Sequence, residues 1–365
     1  MKGMWWMVGD KKKAEKRSMK RVGVVLNSIL LAIGTSGGPL VMRLYFIHGG
    51  NRIWLSSFLE TAAFPLILIP LTISHISRRH AHHHHSSKPN LISIKLPLFL
   101  ASAFIGILTG LDDYLYACGI ARLPVSTSSL IQSSHLAFTA VFAFLLVKHR
   151  FTPYSINAIV LLTVAAVVLA LRSGGDRPSG ESTRQYVIGF IMILAAAALY
   201  GLVLPLMELV YKRSKQRITY SLVMEIQLVM CFFATLFCTL GMIINKDFKV
   251  ISREAKDYKL GESMYYVVVV GSAIMWQFFF LGAIGVIFCA SSLFSGIVIA
   301  AFLPVTEVLA VIVYKENFQA EKGVALVLSL WGFVSYFYGE IKQDREKNKN
   351  GCPETELPLS LPPNS

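Results

Sequence analysis

The chain has 365 residues, of which 54% are hydrophobic and 15% are charged, and its mean hydropathy is +0.57. This composition is too apolar for a soluble protein of that length, so it excludes the soluble classes and favours an integral membrane protein. The net charge of +14 does not indicate nucleic-acid binding, because the basic residues lie in short loops and tails between apolar stretches.

Apolar stretches long enough to cross a membrane follow one another along most of the chain. A bilayer core of about 30 Å needs about 20 apolar residues per helix, and Lys or Arg inside it is rare. Such stretches without Lys or Arg cover 22–42, 53–74, 96–118, 124–147, 153–171, 187–211, 219–244, 264–284, 290–314 and 323–341. We therefore predict an all-α polytopic membrane protein with ten transmembrane helices, called spans 1 to 10 in chain order.

The segments outside the spans predict the topology. Residues 1–21 form a basic tail, 75–95 a His-rich loop and 172–186 a loop between the two halves, and the tail 342–365 is interpreted as disordered. Lys and Arg are concentrated in the segments on the same side of the membrane as the N-terminus. The positive-inside rule therefore predicts that both termini and the loop 75–95 are cytosolic.

The two halves of the chain share a sequence pattern. Span 2 opens with Arg-Ile-x-x-Ser-x-x-x-Glu at Arg52, and span 7 opens with the same pattern at Arg217. Spans 4 and 9 match at nearly the same offset, which pairs Ser128 with Ser295, Thr139 with Thr306, Lys148 with Lys315 and Phe151 with Phe318. Chance similarity between apolar helices is the alternative to a true repeat.

A repeat of five spans has a structural consequence, because five is an odd number. The second copy must enter the membrane from the opposite side, so a pseudo-twofold axis in the membrane plane relates the two copies. We predict two inverted five-helix repeats, at 22–171 and 187–341. Many secondary transporters have this architecture and hold their substrate near the middle of the membrane.

Glu60 and Glu225 are the leading candidates for a functional site. Each lies seven residues after the isoleucine of the shared pattern, Ile53 or Ile218, which corresponds to a depth of about 10 Å at 1.5 Å per residue. A carboxylate near the middle of a span costs at least ~2.5 kcal/mol on insertion scales, and burial favours its neutral form. We predict that both residues bind substrate or carry a proton. A neutral glutamic acid that only joins two helices is the alternative.

Asp112 and Asp113 lie near the end of span 3 and are followed by Tyr116. A diphosphate-binding metal site would require a third acid at the position of Tyr116, so no metal site is predicted. We expect these three residues to contact substrate or to form an outer gate. A solvated helix end is the alternative.

Span 4 carries a stripe of polar side chains. Ser128, Gln132, His135 and Thr139 recur at spacings of four, three and four, which places them on one helical face. A buried stripe of donors and acceptors either joins helices or lines a cavity. We predict that it hydrogen-bonds the substrate.

The matching face of span 9 is apolar at its centre, where Phe302 lies. An apolar wall of this kind can stack on a flat heterocycle. Trp276, Gln277 and the phenylalanines 278–280 of span 8 are predicted to complete the binding site, although aromatic runs often face lipid or core instead.

The spans contain no lysine or arginine, and this bears on the cargo. A carrier of phosphates or nucleotide sugars would place a cation near the middle of the membrane. We therefore expect a neutral or weakly cationic small molecule and no cofactor. The histidines 82–85 are interpreted as a solvated segment rather than a metal site.

Several motifs together resemble one known family. They are Gly37-Gly38-Pro39-Leu40-Val41-Met42-Arg43-Leu44-Tyr45-Phe46, Arg52-Ile53-Trp54, Leu59-Glu60-Thr61, Leu123-Pro124-Val125-Ser126-Thr127-Ser128, Trp276-Gln277, Phe302-Leu303-Pro304-Val305-Thr306-Glu307 and Phe318-Gln319-Ala320-Glu321-Lys322-Gly323. The chain resembles the plant purine permeases of the drug/metabolite transporter superfamily from about residue 22 to 341. It departs from them at Asp113, where Asn is commoner, and at His135, where Gln is frequent.

The resemblance implies proton-coupled uptake of purine bases, cytokinins or related nitrogen heterocycles by a ten-helix inverted-repeat protein. We expect it in the plasma membrane, and a homodimer is left open. One alternative is an exporter of other small solutes from the same superfamily. Another is a membrane-embedded enzyme that uses His135 with an aspartate, which is disfavoured because no nucleophile or metal spacing accompanies them.

Overall fold

The computed structural model describes residues 2–81, 94–123, 125–149, 151–170, 183–216, 218–314 and 320–349. Regular structure within these ranges is helical, which confirms the predicted all-α fold. The helices are α1 (Lys2–Ile47), α2 (Ile53–Thr61), α3 (Leu68–Ala81), α4 (Leu96–Ile120), α5 (Val125–Ser133), α6 (His135–Val147), α7 (Pro153–Ala170), α8 (Thr183–Arg213), α9 (Tyr220–Ile244), α10 (Ile251–Asp257), α11 (Glu262–Cys289), α12 (Ser292–Tyr314) and α13 (Ala320–Lys349). Outside the described residues lie most of the predicted loops 75–95 and 172–186. The same is true of three residues of the predicted repeat, Arg217, Lys315 and Phe318.

Within the described residues, eight helical stretches are long and apolar enough to cross a membrane. They are Arg21–Ile47, Ile53–Ile73, Leu96–Ile120, Arg184–Arg213, Tyr220–Ile244, Glu262–Cys289, Ser292–Tyr314 and Gly323–Gln343. The shorter apolar helices Ile131–Val147 and Pro153–Ala165 correspond to spans 4 and 5. Their crossing of the membrane, and hence the total of ten, stays a prediction.

The surface of the bundle is apolar, as expected where helices face lipid. Leu145, Val267, Ile312 and Trp331 point outwards and are more than half exposed, whereas many acids, serines and threonines are buried. A soluble monomer rarely shows so much exposed apolar surface. The chain is therefore an integral membrane protein.

Two spans that were predicted as single helices are divided. In span 2, α2 ends at Thr61 and α3 begins at Leu68. Pro65 has no N–H to donate to the carbonyl of Thr61, so the helix cannot continue through it. Span 4 is divided at Ser134, whose hydroxyl donates to the carbonyl of Ile131 at 2.6 Å and competes with helical bonding.

Helices also extend into segments that were predicted as tails or loops. α1 begins within the basic tail 1–21, and α3 continues to Ala81 in the His-rich loop. α13 continues to Lys349, so the prediction of disorder is wrong for residues 342–349. Between α9 and α11, residues 245–261 fold into a 3-10 turn at Asp247–Lys249 followed by α10, and we call this segment the strap.

Helix packing follows the predicted repeat. α1 packs against α11, and the equivalent pair α8 and α4 is also in contact. The contact between α6 and α8 in the same way corresponds to the contact between α12 and α1. The contact between α4 and α9 corresponds to the contact between α11 and α2. Each of these three contacts therefore has a counterpart when every span is exchanged for the one five places along.

Two pairs of equivalent helices, α2 with α9 and α7 with α13, run in opposite directions. Near the start of α2, Trp54 lies against Gly241 close to the end of α9, and the Phe64 ring, just beyond α2, is 6.0 Å from that of Phe232. At the start of α7, the Tyr154 ring is 5.5 Å from that of Tyr338 near the end of α13. This antiparallel pairing is the geometry that an inverted repeat requires.

Candidate functional site

Two buried carboxyl groups meet where α2 packs against α4. The carboxyl groups of Glu60 and Asp113 lie close enough for a hydrogen bond between them, and Asp112 lies close enough to interact electrostatically with both. The side chains of Glu60, Asp112 and Asp113 are only 2%, 6% and 1% exposed. Two carboxyl groups can hydrogen-bond each other only if at least one of them is protonated. We call these three residues the acid cluster.

Aromatic rings surround the acid cluster on two sides. Tyr116, one turn after Asp112, interacts electrostatically with Glu60 and Asp112, and its ring is edge-on to Trp276 at 5.5 Å. Tyr200 of α8 faces Asp112 and Asp113. A flat heterocycle beside the acids would thus meet aromatic faces contributed by α8 and α11.

His135 joins the site through Tyr200. Their ring centroids are 6.0 Å apart, and the Tyr200 ring lies 5.6 Å from that of Phe279. The Nδ1 of His135 donates to the carbonyl of Gln132 at 2.8 Å, since a carbonyl only accepts. This contact fixes the ring at the break between α5 and α6 and directs Nε2 away from its own helix.

Polar atoms without a hydrogen-bond partner among the described residues are concentrated around the same region. They include Ser56 Oγ, Glu60 Oε1, Asp112 Oδ1, Asp113 Oδ2, Gln132 Oε1, His135 Nε2, Thr139 Oγ1, Tyr200 OH, Trp276 Nε1 and both amide atoms of Gln277. Buried polar groups are nearly always hydrogen-bonded, because leaving one unsatisfied costs about 1–3 kcal/mol. Such a concentration is expected where a polar ligand is bound.

Gln277 is oriented by its neighbours on α11. One turn earlier, Ala273 belongs to the same apolar cluster as Leu59 of α2. One turn later, Leu281 packs with Ile67, just beyond the end of α2. Residues four apart share a helical face, so Gln277 faces the carboxyl end of α2, which is where the acid cluster lies.

Glu225 lies apart from the acid cluster. Its Oε2 accepts a hydrogen bond from the main-chain N–H of Ile94 at 3.0 Å, just before the start of α4. Asp113 is 17 residues further along this helix than Leu96, a distance of about 25 Å at 1.5 Å per residue. The two equivalent glutamates are therefore near opposite ends of α4.

The remaining predicted residues lie in the core around the site. Ser128 is fully buried on α5, whereas Gln132 is half-buried. Phe302 of α12 packs against the main apolar core. Among the described residues, its ring makes no contact with the aromatic rings beside the acid cluster. Tyr200 and its contacts were not predicted, although a tyrosine in the middle of span 6 was a signal that could have been used.

A helical bundle that crosses the membrane many times, with a protonatable pair and unsatisfied polar atoms at its centre, defines a membrane transporter. The family profile described as purine nucleobase transmembrane transport matches residues 22–346. The chain belongs to this family of purine transporters, whose members are not enzymes.

Individual relatives agree with this assignment. Purine permease 3 of Arabidopsis thaliana is 56% identical over 331 residues, which cover 91% of this chain and 94% of that protein. Purine permease 2 of the same plant is 55% identical over 353 residues, which cover 94% and 98%. One solved crystal structure covers 87% of this chain and 98% of its own with a TM-score of 0.55, but at 14% identity it shows likeness of fold alone.

Proposed function

We propose that the protein imports purine bases, cytokinins or related neutral or weakly cationic heterocycles together with protons. In this proposal it acts in the plasma membrane with both termini in the cytosol, as the distribution of Lys and Arg predicts. The observation that carries the proposal is the close approach of the buried carboxyl groups of Glu60 and Asp113 beside unsatisfied polar atoms.

The proton is assigned to the acid cluster. Because Glu60 and Asp113 must hold at least one proton to stay bonded, losing it would place adjacent negative charges in a buried site and force them apart. Protonation from the outer side would favour the closed pair, and release towards the cytosol would open it. The charge state of the pair thereby selects between conformations, which is the requirement for coupling.

The substrate is assigned to the space between the acid cluster and α11. The amide of Gln277 offers one donor and one acceptor side by side, and this is the pattern that pairs with the N6 and N7 edge of adenine. Trp276 and Tyr200 supply ring faces for stacking. None of the residues assigned to the site is Lys or Arg, so an uncharged base fits it better than a phosphorylated one.

Glu225 is assigned a different role from Glu60. Because its contact to the Ile94 N–H holds the segment before α4, we assign it to positioning that end of the bundle rather than to carrying the proton. The sequence alone treated both glutamates alike.

Uptake of radiolabelled adenine into yeast lacking its own purine transport tests the proposal. Uptake that rises at acid external pH and falls when a protonophore is added is expected. Competition by unlabelled adenine, hypoxanthine and a cytokinin at two pH values would then rank the substrates. Uptake that is the same with and without the protonophore would remove proton coupling, and export from preloaded cells would favour the alternative of an exporter.

A further inference from the structure

The strap carries two buried carboxylates in a segment that the sequence places outside the spans. Asp247 is fully buried and Glu254 is 8% exposed. Acidic residues are rarely buried unless they are paired. Both must therefore serve contacts elsewhere in the fold.

Glu254 joins the strap to three other segments. Its Oε1 accepts hydrogen bonds from Tyr45 of α1 at 2.5 Å and from Tyr265 of α11 at 3.1 Å. Its Oε2 accepts the main-chain N–H of Asn51 at 3.2 Å and lies 3.6 Å from Nε of Arg52. One carboxylate thus ties together the ends of α1 and α11 and the residues that precede α2.

Arg52 transmits these contacts to α2. It is the N-cap residue of that helix, and its guanidinium lies 3.5 Å from Asp247 as well as beside Glu254. Its own N–H donates to the hydroxyl of Tyr45 at 3.1 Å. The start of α2 is therefore fixed by charged and hydrogen-bonded contacts that all involve the strap or its partner Tyr45.

α2 has only nine residues between this anchor and the break at Pro65. α2 carries Glu60 and packs against α9. The hydroxyl of Thr235 in α9 donates a hydrogen bond to the hydroxyl of Thr61 in α2 at 2.9 Å. A short rigid helix held at one end and interrupted at the other moves as a unit when the held end is released. Access to Glu60 from this end of the bundle thus depends on the contacts at Arg52.

We propose that Glu254 is a positioning residue for transport: it holds the start of α2 in the closed position and must release Arg52 before the central site opens at this end. The role is independent of which group carries the proton or which base is bound. It concerns one end of the bundle only, because Glu254 contacts no segment at the opposite end among the described residues.

Two native cysteines can report on opening. Cys238 is fully buried on α9, the helix against which α2 packs, and its Sγ lies 3.8 Å from the carbonyl oxygen of Gly110 in α4. Cys289 is buried at the far end of α11, beside Gly23 of α1. Opening at the Arg52 end should expose Cys238 and leave Cys289 protected.

The full-length protein in nanodiscs is treated with a small charged methanethiosulfonate, and labelling of each cysteine is followed by peptide mass spectrometry. In Glu254→Ala, Cys238 should react at least about fivefold faster than in the native protein, because local opening sets the exposure of buried groups. Cys289 should react at its native rate. Asp257→Asn is the matched control, since it removes the same charge from an exposed part of the strap and should change neither rate.

Unchanged labelling of Cys238 would overturn the proposal. An equal rise at both cysteines would overturn it as well, because Glu254 would then support the fold in general. If Glu254→Ala is not monodisperse, Tyr265→Phe removes a single donor to Glu254 and should give a smaller rise at Cys238 alone. The absence of that rise in folded Tyr265→Phe would equally contradict the positioning role.

Discussion

Glu60 and Glu225 occupy equivalent positions in the two repeats, yet their surroundings differ. The carboxyl group of Glu60 lies beside that of Asp113, and a hydrogen bond between two carboxyl groups requires a proton. Glu225 accepts a hydrogen bond from the backbone of Ile94, and a carboxyl oxygen can do so whether or not the group is protonated. The repeat has kept the residue type and divided the roles.

The helices that face Glu60 and Glu225 also differ between the two repeats. The offset between the two glutamates is 225 − 60 = 165, and adding it to Asp112 gives position 277. The first repeat thus has paired aspartates where the second has Gln277 followed by phenylalanines. In the proposed mechanism, the acids form the proton-binding half of the site, and the amide with the aromatic rings forms the half that binds the base.

The largest expected effect comes from Glu60→Gln. Glutamine keeps the size and hydrogen-bonding capacity of the side chain but cannot exchange a proton, so uptake at acid pH should fall by about tenfold or more, within the usual range of coupling energies. The remaining uptake should no longer respond to a protonophore. The protein level at the membrane is the control, and native protonophore sensitivity in this variant would contradict the assignment.

Asp113→Asn should give a slightly smaller loss, of about tenfold. The asparagine amide can still donate to Glu60, so the contact between α2 and α4 is retained while one titratable group is removed. The measurement is the dependence of initial uptake on external pH, which should become flatter than in the native protein. A pH profile identical to the native one would show that Asp113 takes no part in coupling.

Gln277→Ala should weaken binding of adenine without removing proton dependence. Losing about one or two neutral hydrogen bonds, each worth about 1 kcal/mol, raises the apparent KM roughly five- to thirtyfold. The matched control is Gln227→Ala, because Gln227 is also buried but donates to Cys231 at 3.0 Å. Equal changes of KM in both variants would assign the effect to packing.

Glu225→Gln should have the smallest effect, a change in uptake of less than about twofold. The amide oxygen can still accept the N–H of Ile94, and a substitution that keeps this hydrogen bond alters stability little. Initial uptake and protonophore sensitivity are measured beside Glu60→Gln. A loss as large as that of Glu60→Gln would restore the symmetric mechanism that the sequence predicted.

The positions of the helices could be predicted, because a membrane span requires about 20 apolar residues. The division of span 2 could also have been foreseen, since Pro65 removes the donor that Thr61 needs. The division at Ser134 has no such signal, because it depends on one local hydrogen bond to Ile131.

The sequence predicts the acidic residues of the site, but it predicts the contacts between them less well. A carboxyl inside a span is conspicuous by its desolvation cost, which identified Glu60 and Asp113 one by one. Their pairing depends on how α2 and α4 pack. The contact of Glu254 with Tyr45 joins residues 209 positions apart, and no local pattern indicates it.

Proton movement driven by substrate tests the central claim most directly. Purified protein is reconstituted into liposomes that contain a pH-sensitive dye, and adenine is added outside without any imposed pH gradient. The native protein should acidify the lumen when adenine is added, whereas Glu60→Gln should not and Glu225→Gln should resemble the native protein. If the double variant Glu60→Gln/Asp113→Asn acidified the lumen as much as the native protein does, this result would contradict the account.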